Sequence, residues 1–347
     1  MRITCLLFIL LFSKFLTAQT VMREQPAPEA EHGLVKWMTI EEAEKKNKEF
    51  SKPILIDFYT DWCGWCKYMI KTTYSNPDIA NYINTFFYPV QFNAETHDTI
   101  HFQGDTFVNK NPNPRSPHDF AIKMLGSSLS YPTTIFINDN YKLNLKVPGY
   151  LTTEKIAPLL IFTLENVFKT TSYQDFDKYY TQANNDTLKK KDTLKIHWYT
   201  MDQALAENKK KSKKLMINIF TTWCNSCNVM KSTVFKNPEI VKYINEKYYP
   251  VDFNAQSMDS VNFMGDKFGN GGKDKNFFHD FVIALLRGNI IVPSQIFFNE
   301  KMQLINQSPY FLTPHDFEAI LKFFGDDAYL TTKWEDYIKT FKGKISE

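Results

Sequence analysis

Shifted by 161 residues the chain lies over itself, and this constrains the fold more than any other feature. Trp62-Cys63-Gly64-Trp65-Cys66-Lys67 falls on Trp223-Cys224-Asn225-Ser226-Cys227-Asn228. The same offset carries Trp37 to Trp198, Phe92-Asn93-Ala94 to Phe253-Asn254-Ala255, His118-Asp119-Phe120 to His279-Asp280-Phe281, Pro132 to Pro293 and Thr170-Thr171 to Thr331-Thr332. No insertion or deletion breaks the register. Each copy, at roughly 145 residues, has the size of one domain with its own core, and two copies fall short of the three or more repeats of a solenoid. Two self-sufficient globules are expected, residues 37–182 and 198–347, joined by a polar linker, 183–197, that contains Lys189-Lys190-Lys191 and permits relative motion.

Every cysteine beyond Cys5 lies in the two C-x-x-C motifs, which points to thiol–disulfide chemistry. Composition excludes more than it suggests: Lys+Arg 41 against Asp+Glu 38 leaves +3, too balanced for a nucleic-acid surface. The basic run Lys209 to Lys214 is expected to be a solvated loop between a helix and a strand. At the N-terminus Arg2, the apolar Leu6 to Phe12 and Leu16-Thr17-Ala18 read as a signal peptide, residues 1–18. The apolar stretch is well short of the roughly 20 residues that span a bilayer, so no membrane anchor is expected after cleavage. Cys5 leaves with the signal, and residues 19–36 form a polar, Pro-containing lead-in. The mature chain then holds four cysteines outside the cytoplasm, periplasmic or secreted, where partners must maintain their redox state.

Within each copy the pattern predicts an α/β sandwich in the order β-α-β-α-β-β-α. Thr39-Ile40-Glu41-Glu42 and Thr200-Met201-Asp202-Gln203 fit the capping box that opens a helix. Ile54 to Tyr59 and Leu215 to Phe220 are apolar runs of strand length, followed at once by the cysteines. Helices are expected after each motif and after Asn76-Pro77 and Asn237-Pro238. In the first copy strands follow at Tyr88 to Asn93, Thr133 to Asn138 and Leu143 to Val147, with a helix from about Thr153.

With strand, cysteine motif, helix and distal proline in place, each copy resembles a thioredoxin fold. The fold expected is therefore α/β: two tandem thioredoxin-like domains, each a central mixed sheet flanked by helices. Asp57-Phe58-Tyr59-Thr60-Asp61-Trp62-Cys63-Gly64-Trp65-Cys66-Lys67 is similar to the thioredoxin signature, and the W-C-x-x-C-K motif also resembles that of exported thioredoxin-like proteins and of the C-terminal domain of the transmembrane disulfide reductase. The resemblance implies cis bonds at Tyr131-Pro132 and Val292-Pro293, next to the cysteines.

The chemistry needs this arrangement. A cysteine at a helix N-terminus is stabilised as the attacking thiolate by unpaired N–H groups and the helix dipole, which marks Cys63 and Cys224 as nucleophiles. Cys66 and Cys227, one turn on, resolve the mixed disulfide. The resemblance gives Asp57 the proton transfer to and from the resolving cysteine, a task for a desolvated carboxylate. The second copy has Asn218 there and Asn228 in place of the lysine, which raises Asp252 on the neighbouring strand as a substitute acid. Trp62, Trp65 and Tyr68 form an apolar rim around Cys63, and Tyr131, Pro132, Val292 and Pro293 are expected to bind extended substrate. Packing beneath the loop is the alternative for Trp62 and Tyr68.

Neither Gly64-Trp65 nor Asn225-Ser226 contains the histidine of strongly oxidising relatives, so the first site reads as a reductase or isomerase. Protein thiols and disulfides are the expected substrates, with a membrane or soluble redox partner to reset the cysteines. No cofactor is expected beyond the cysteine pairs, and no metal: a four-cysteine zinc site is disfavoured because each pair belongs to its own unit. The alternative function is a bivalent binding or chaperone module with static disulfides. Each copy is longer than a minimal fold before its proline, and Ile100 to Val108 and Val261 to Phe268 predict an inserted hairpin that covers a sheet edge or selects substrates. His118 and His279 are expected to cap or pack at helix starts rather than to act in catalysis or bind metal.

Overall fold

The computed structural model describes residues 33–138, 140–141, 144–185, 194–271 and 278–346. The signal peptide with Cys5, residues 19–32 of the lead-in and Lys189 to Lys191 lie outside these. The first half runs α1 (Ile40–Glu49), β1 (Ile54–Tyr59), α2 (Gly64–Thr72), α3 (Pro77–Phe86), β2 (Tyr88–Asn93), β3 (Ile100–Phe102), β4 (Asp105–Phe107), α4 (Asp119–Leu125), β5 (Thr133–Ile137), β6 (Asn144–Pro148), α5 (Thr153–Leu164) and α6 (Tyr173–Asn184). The second repeats it as α7 (Met201–Lys210), β7 (Lys214–Phe220), α8 (Asn225–Ser232), α9 (Pro238–Lys247), β8 (Tyr248–Asn254), β9 (Val261–Phe263), β10 (Asp266–Phe268), α10 (Asp280–Leu285), β11 (Ser294–Phe298), β12 (Leu304–Pro309), α11 (Pro314–Gly325) and α12 (Trp334–Thr340).

Each half builds a four-stranded mixed sheet, ordered β2-β1-β5-β6 and β8-β7-β11-β12. The first pair is parallel and the others antiparallel, and Ile54 opposite Tyr88 becomes Leu215 opposite Tyr249 in the same register. Both capping boxes form: Thr39 accepts from Glu42 N and Thr200 from Gln203 N. In both repeats asparagine caps the helix that opens on proline, with Asn76 and Asn237 accepting from the first-turn N–H groups.

The inserted segments are two-stranded hairpins. Gln103 and Gly104 turn the first with φ of 53° and 85°, the left-handed pair a two-residue hairpin demands. Ile100, Phe102 and Phe107 are buried with Phe120 in the core layer beneath α1. Backbone N–H groups of His101 and Gln103 donate to Glu41 and Glu44 of α1. Burial of its apolar face gives the hairpin a structural role. The histidines cap helices: Nδ1 of His118 and of His279 accepts from the N–H two residues on, while each Nε2 meets a backbone carbonyl.

Two expectations are corrected. The basic run is a loop only at its centre, residues 211–213: Lys209 and Lys210 end α7, and Lys214 opens β7 with its side chain buried rather than solvated. Two carboxylates make that burial tolerable, Glu300 at 2.6 Å and Asp327 at 2.9 Å from Nζ. Nor are the halves independent globules. Ile161, Phe162, Val167, Phe176 and Tyr179 of the first half bury into one cluster with Met230, Phe311, Phe317 and Leu321 of the second. Phe176 meets Phe311 edge-on at 5.3 Å, Lys169 Nζ donates to Tyr310 Oη at 2.7 Å, and Thr170 donates to the Phe311 carbonyl. The apolar face of α5–α6 thus finds its partner in the other half.

Candidate active sites

Each β1-type strand ends where a helix begins, and the first cysteine is the residue that caps the helix. Cys63 Sγ accepts from Cys66 N at 3.1 Å, and Cys224 Sγ from Cys227 N at 3.1 Å. Both pairs are disulfides with Cα atoms 5.3 Å apart, and the Tyr131-Pro132 and Val292-Pro293 bonds are cis.

Around the first pair the rim is open. Trp62, Trp65 and Tyr68 are all at least half exposed, so Trp62 and Tyr68 do not pack beneath the loop. Trp62 stands edge-on to Tyr131 and donates from Nε1 to both carboxylate oxygens of Glu95 at 3.0 Å. Trp65 and Tyr68 lie 5.7 and 5.3 Å from the Tyr150 ring, whose hydroxyl meets Thr72 Oγ1 at 3.0 Å. On β1, the strand that leads into the pair, Asp57 is 1 % exposed, and burial pushes its carboxyl from 3.8 to about 7, tempered by the nearby Tyr74 hydroxyl. Neither Asp57 Oδ1 nor Tyr74 Oη reaches hydrogen-bond geometry with any partner among the described residues. A buried carboxyl poised near neutrality on the strand that leads into a cysteine pair suits proton exchange.

The second centre keeps the backbone and changes the surroundings. Asn218 replaces Asp57, Phe235 replaces Tyr74 and Gln295 replaces Thr134. Gln295 Nε2 donates to Asn218 Oδ1 at 3.0 Å, and Asn218 Nδ2 donates to Asp252 Oδ1 at 2.8 Å. Asp252 is adjacent as the sequence suggested, but it sits in an ion pair with Lys231 at 2.9 Å and is partly exposed. Trp223 is half exposed like Trp62 and donates to Gln256, the amide counterpart of Glu95. Val292 and Pro293 lie directly before β11, as Tyr131 and Pro132 do before β5.

One residue at this centre escaped the sequence reading. Glu165, the C-cap of α5 in the first half, accepts from Asn225 N at 2.9 Å and Ser226 N at 2.7 Å, and its Oε2 lies 3.7 Å from Cys224 Sγ. Burial raises its carboxyl even though the Ser226 and Asn225 donors pull it down. A signal was present in the repeat. Asp326, its counterpart, has Lys247 at 3.3 Å, whereas the position matching Lys247 in the first copy is Phe86. An acid at the helix end that disfavours it, deprived of its lysine, must find donors elsewhere.

Paired cysteines on a helix N-terminus, with a cis proline directly before the strand that pairs with the one leading into them, define a tandem thiol–disulfide protein of the thioredoxin class. The chain belongs to the thioredoxin-like domain family, whose sequence profile matches residues 40–163 and 201–325, most of both repeats. It is also 34% identical over 65 residues to the thiol:disulfide interchange protein DsbD of Vibrio vulnificus, a stretch that spans 18% of this chain and 11% of that protein. Among solved structures, a thioredoxin-fold protein of Helicobacter pylori is 17% identical with a TM-score of 0.30, covering 38% of this chain and 85% of that one. The oxidised C-terminal domain of Neisseria meningitidis DsbD is 20% identical with a TM-score of 0.24, covering 33% and 84%.

Proposed function

We propose that the chain is an exported thiol–disulfide oxidoreductase that exchanges disulfides with protein substrates, acting as a reductase or isomerase at Cys63–Cys66. The observation that carries this reading is the first centre itself: a helix-capping disulfide with an open aromatic rim on one side and a buried carboxyl near neutrality on the other. In the cycle, the Cys63 thiolate attacks a substrate disulfide and the Cys66 sulfur attacks the resulting mixed disulfide. That releases the reduced substrate and leaves the pair oxidised. Asp57 takes the Cys66 proton as that thiol becomes the nucleophile. Trp62, Trp65 and Tyr131 hold an apolar stretch of substrate, and backbone next to Pro132 pairs with it. The basic and apolar N-terminal sequence supports export to the periplasm or beyond, and a membrane or soluble partner then returns electrons to the pair.

The test is equilibration of Cys224→Ser/Cys227→Ser protein with dithiothreitol or glutathione. A potential near the thioredoxin value of about −270 mV supports a reductase, while one near −120 mV makes the first site an oxidant. A pair that does not exchange at all leaves a binding module with static disulfides.

A further inference from the structure

The second pair is enclosed by the first half of the chain. The cysteines themselves are buried in both centres, Cys63 and Cys66 at 4 % and 2 % exposure against 0 % and 2 % for Cys224 and Cys227; the difference is the residue between them, since Ser226 is fully buried and its counterpart Trp65 is 63 % exposed. The small side chain at Ser226 gives the α5–α6 corner room to seat against α8, and that corner delivers Glu165. Its carboxylate takes the N–H groups of Asn225 and Ser226, the first two of α8. Cys227 N stays on Cys224 Sγ, so the carboxylate sits on the two neighbouring N–H groups of the helix end whose dipole favours a thiolate on the capping cysteine.

We propose that Glu165 is a latch on the second centre, holding Cys224–Cys227 oxidised and out of exchange while the α5–α6 corner is seated. Three effects act together. The carboxylate lies 3.7 Å from Cys224 Sγ, where an attacking thiolate must approach. It neutralises part of the positive helix end that favours a Cys224 thiolate, by taking Asn225 N and Ser226 N. Its charge opposes both an incoming thiolate and the one that reduction generates. The apolar seat is substantial, since Phe162, Val167, Phe176 and Tyr179 are buried in the shared cluster. The second pair therefore becomes available only when that corner lifts. Glu165 is a positioning residue here, and the inference rests on the exchange chemistry proposed above.

A timed pulse of dithiothreitol on the intact chain tests the latch. A reagent thiolate attacks one sulfur of a pair, forms a mixed disulfide and expels the other sulfur, which takes up a proton. The second reagent thiol then gives up its proton, closes the reagent's ring and releases the remaining cysteine. Two electrons pass from reagent to chain. Alkylation and digestion read the two pairs on separate peptides, with the first pair as internal reference.

In the unaltered chain the first pair is expected to reduce about a hundredfold faster than the second. Glu165→Gln keeps the shape, removes the charge, speeds the second pair about tenfold or more and makes it easier to reduce at equilibrium, with the first pair unchanged. Ser226→Trp, which restores the first-copy residue and pushes the corner away from the other side, gives the same acceleration should the glutamine variant fold poorly. Equal rates for the two pairs in the unaltered chain overturn the latch, as does Glu165→Gln leaving the second pair unchanged or slowing it, the last result marking Glu165 as a proton donor. Failure of the first pair to react overturns the proposed function, while the second-pair comparison still judges the latch.

Discussion

The two centres share a backbone and place their charges differently. Around the first stand three carboxylates of its own repeat, Asp57, Asp61 and Glu95; the matching positions of the second are Asn218, Thr222 and Gln256, all uncharged. The carboxylate against Cys224 comes instead from the other half, through Glu165. Behind the cysteines the acid and amide have traded strands: Asp57 faces Gln91 across β1 and β2, and Asn218 faces Asp252 across β7 and β8. The lesson is that duplication preserves where the sulfur sits, set by strand register and helix cap. The proton chemistry and the access are rewritten by a handful of side chains.

The sharpest break of this comparison is at the nucleophiles. Cys63→Ser is expected to abolish turnover of a protein disulfide by the full chain, and Cys224→Ser to leave most of it. Equal losses in an insulin-reduction assay make the centres equivalent and the contrast in their surroundings irrelevant.

Next in size is Asp57→Asn. Because general acid–base catalysis is worth roughly 10²–10⁴-fold, loss of this carboxyl is expected to slow resolution of the mixed disulfide by about a hundredfold near neutrality and to flatten its pH profile. Stability responds in the opposite sense. The folded carboxyl titrates at about 7 against 3.8, so the protonated acid suits the fold below pH 4, and that contribution is lost as pH rises through 7. At pH 9 the asparagine variant is expected to be more stable, by an amount on the order of 4 kcal/mol at most. Denaturant midpoints at pH 4 and pH 9 check it, and a gain confined to pH 4 contradicts the sign.

The exchanged acid and amide provide a finer test. Asn218→Asp sets two carboxylates where Nδ2 now donates to Asp252 at 2.8 Å, at a residue 2 % exposed. A destabilisation of roughly 2–4 kcal/mol is expected above neutral pH. Adding Asp252→Gln restores the first-copy arrangement and is expected to recover most of it. A double-mutant cycle in urea without coupling shows instead that Asp252 and Asn218 act separately.

Local physics made much of this molecule legible from sequence. The repeat gives the two-domain plan, the capping boxes at Thr39 and Thr200 open the helices where expected, and apolar runs mark β1 and β7 to within one residue. What escaped was non-local. Lys214 reads as part of a charged run because Glu300 and Asp327 are distant in sequence, yet those carboxylates draw it into a strand. Phe176 and Tyr179 lie on α6, a helix beyond the last one the sequence marked, with nothing local to say that Phe311 lies opposite. Glu165 was visible only by comparing copies, as an acid whose lysine had become Phe86.

The smallest effect belongs to the rim. Trp65 is 63 % exposed and touches Tyr68 and Tyr150 with its ring edge and face, so its removal leaves the fold within about 0.5 kcal/mol of the parent. Trp65→Ser, which writes the second-copy residue into the first centre, is expected to raise KM for an apolar peptide disulfide a few-fold, about 3- to 10-fold, with little change in kcat, because a surface aromatic contributes on the order of 1 kcal/mol to contact. The rate of reduction by small dithiothreitol, which does not span the rim, is expected to stay the same. If kcat falls while KM holds, Trp65 acts on the sulfur rather than on the substrate. The difference between the centres would then be chemical at this position as well as steric.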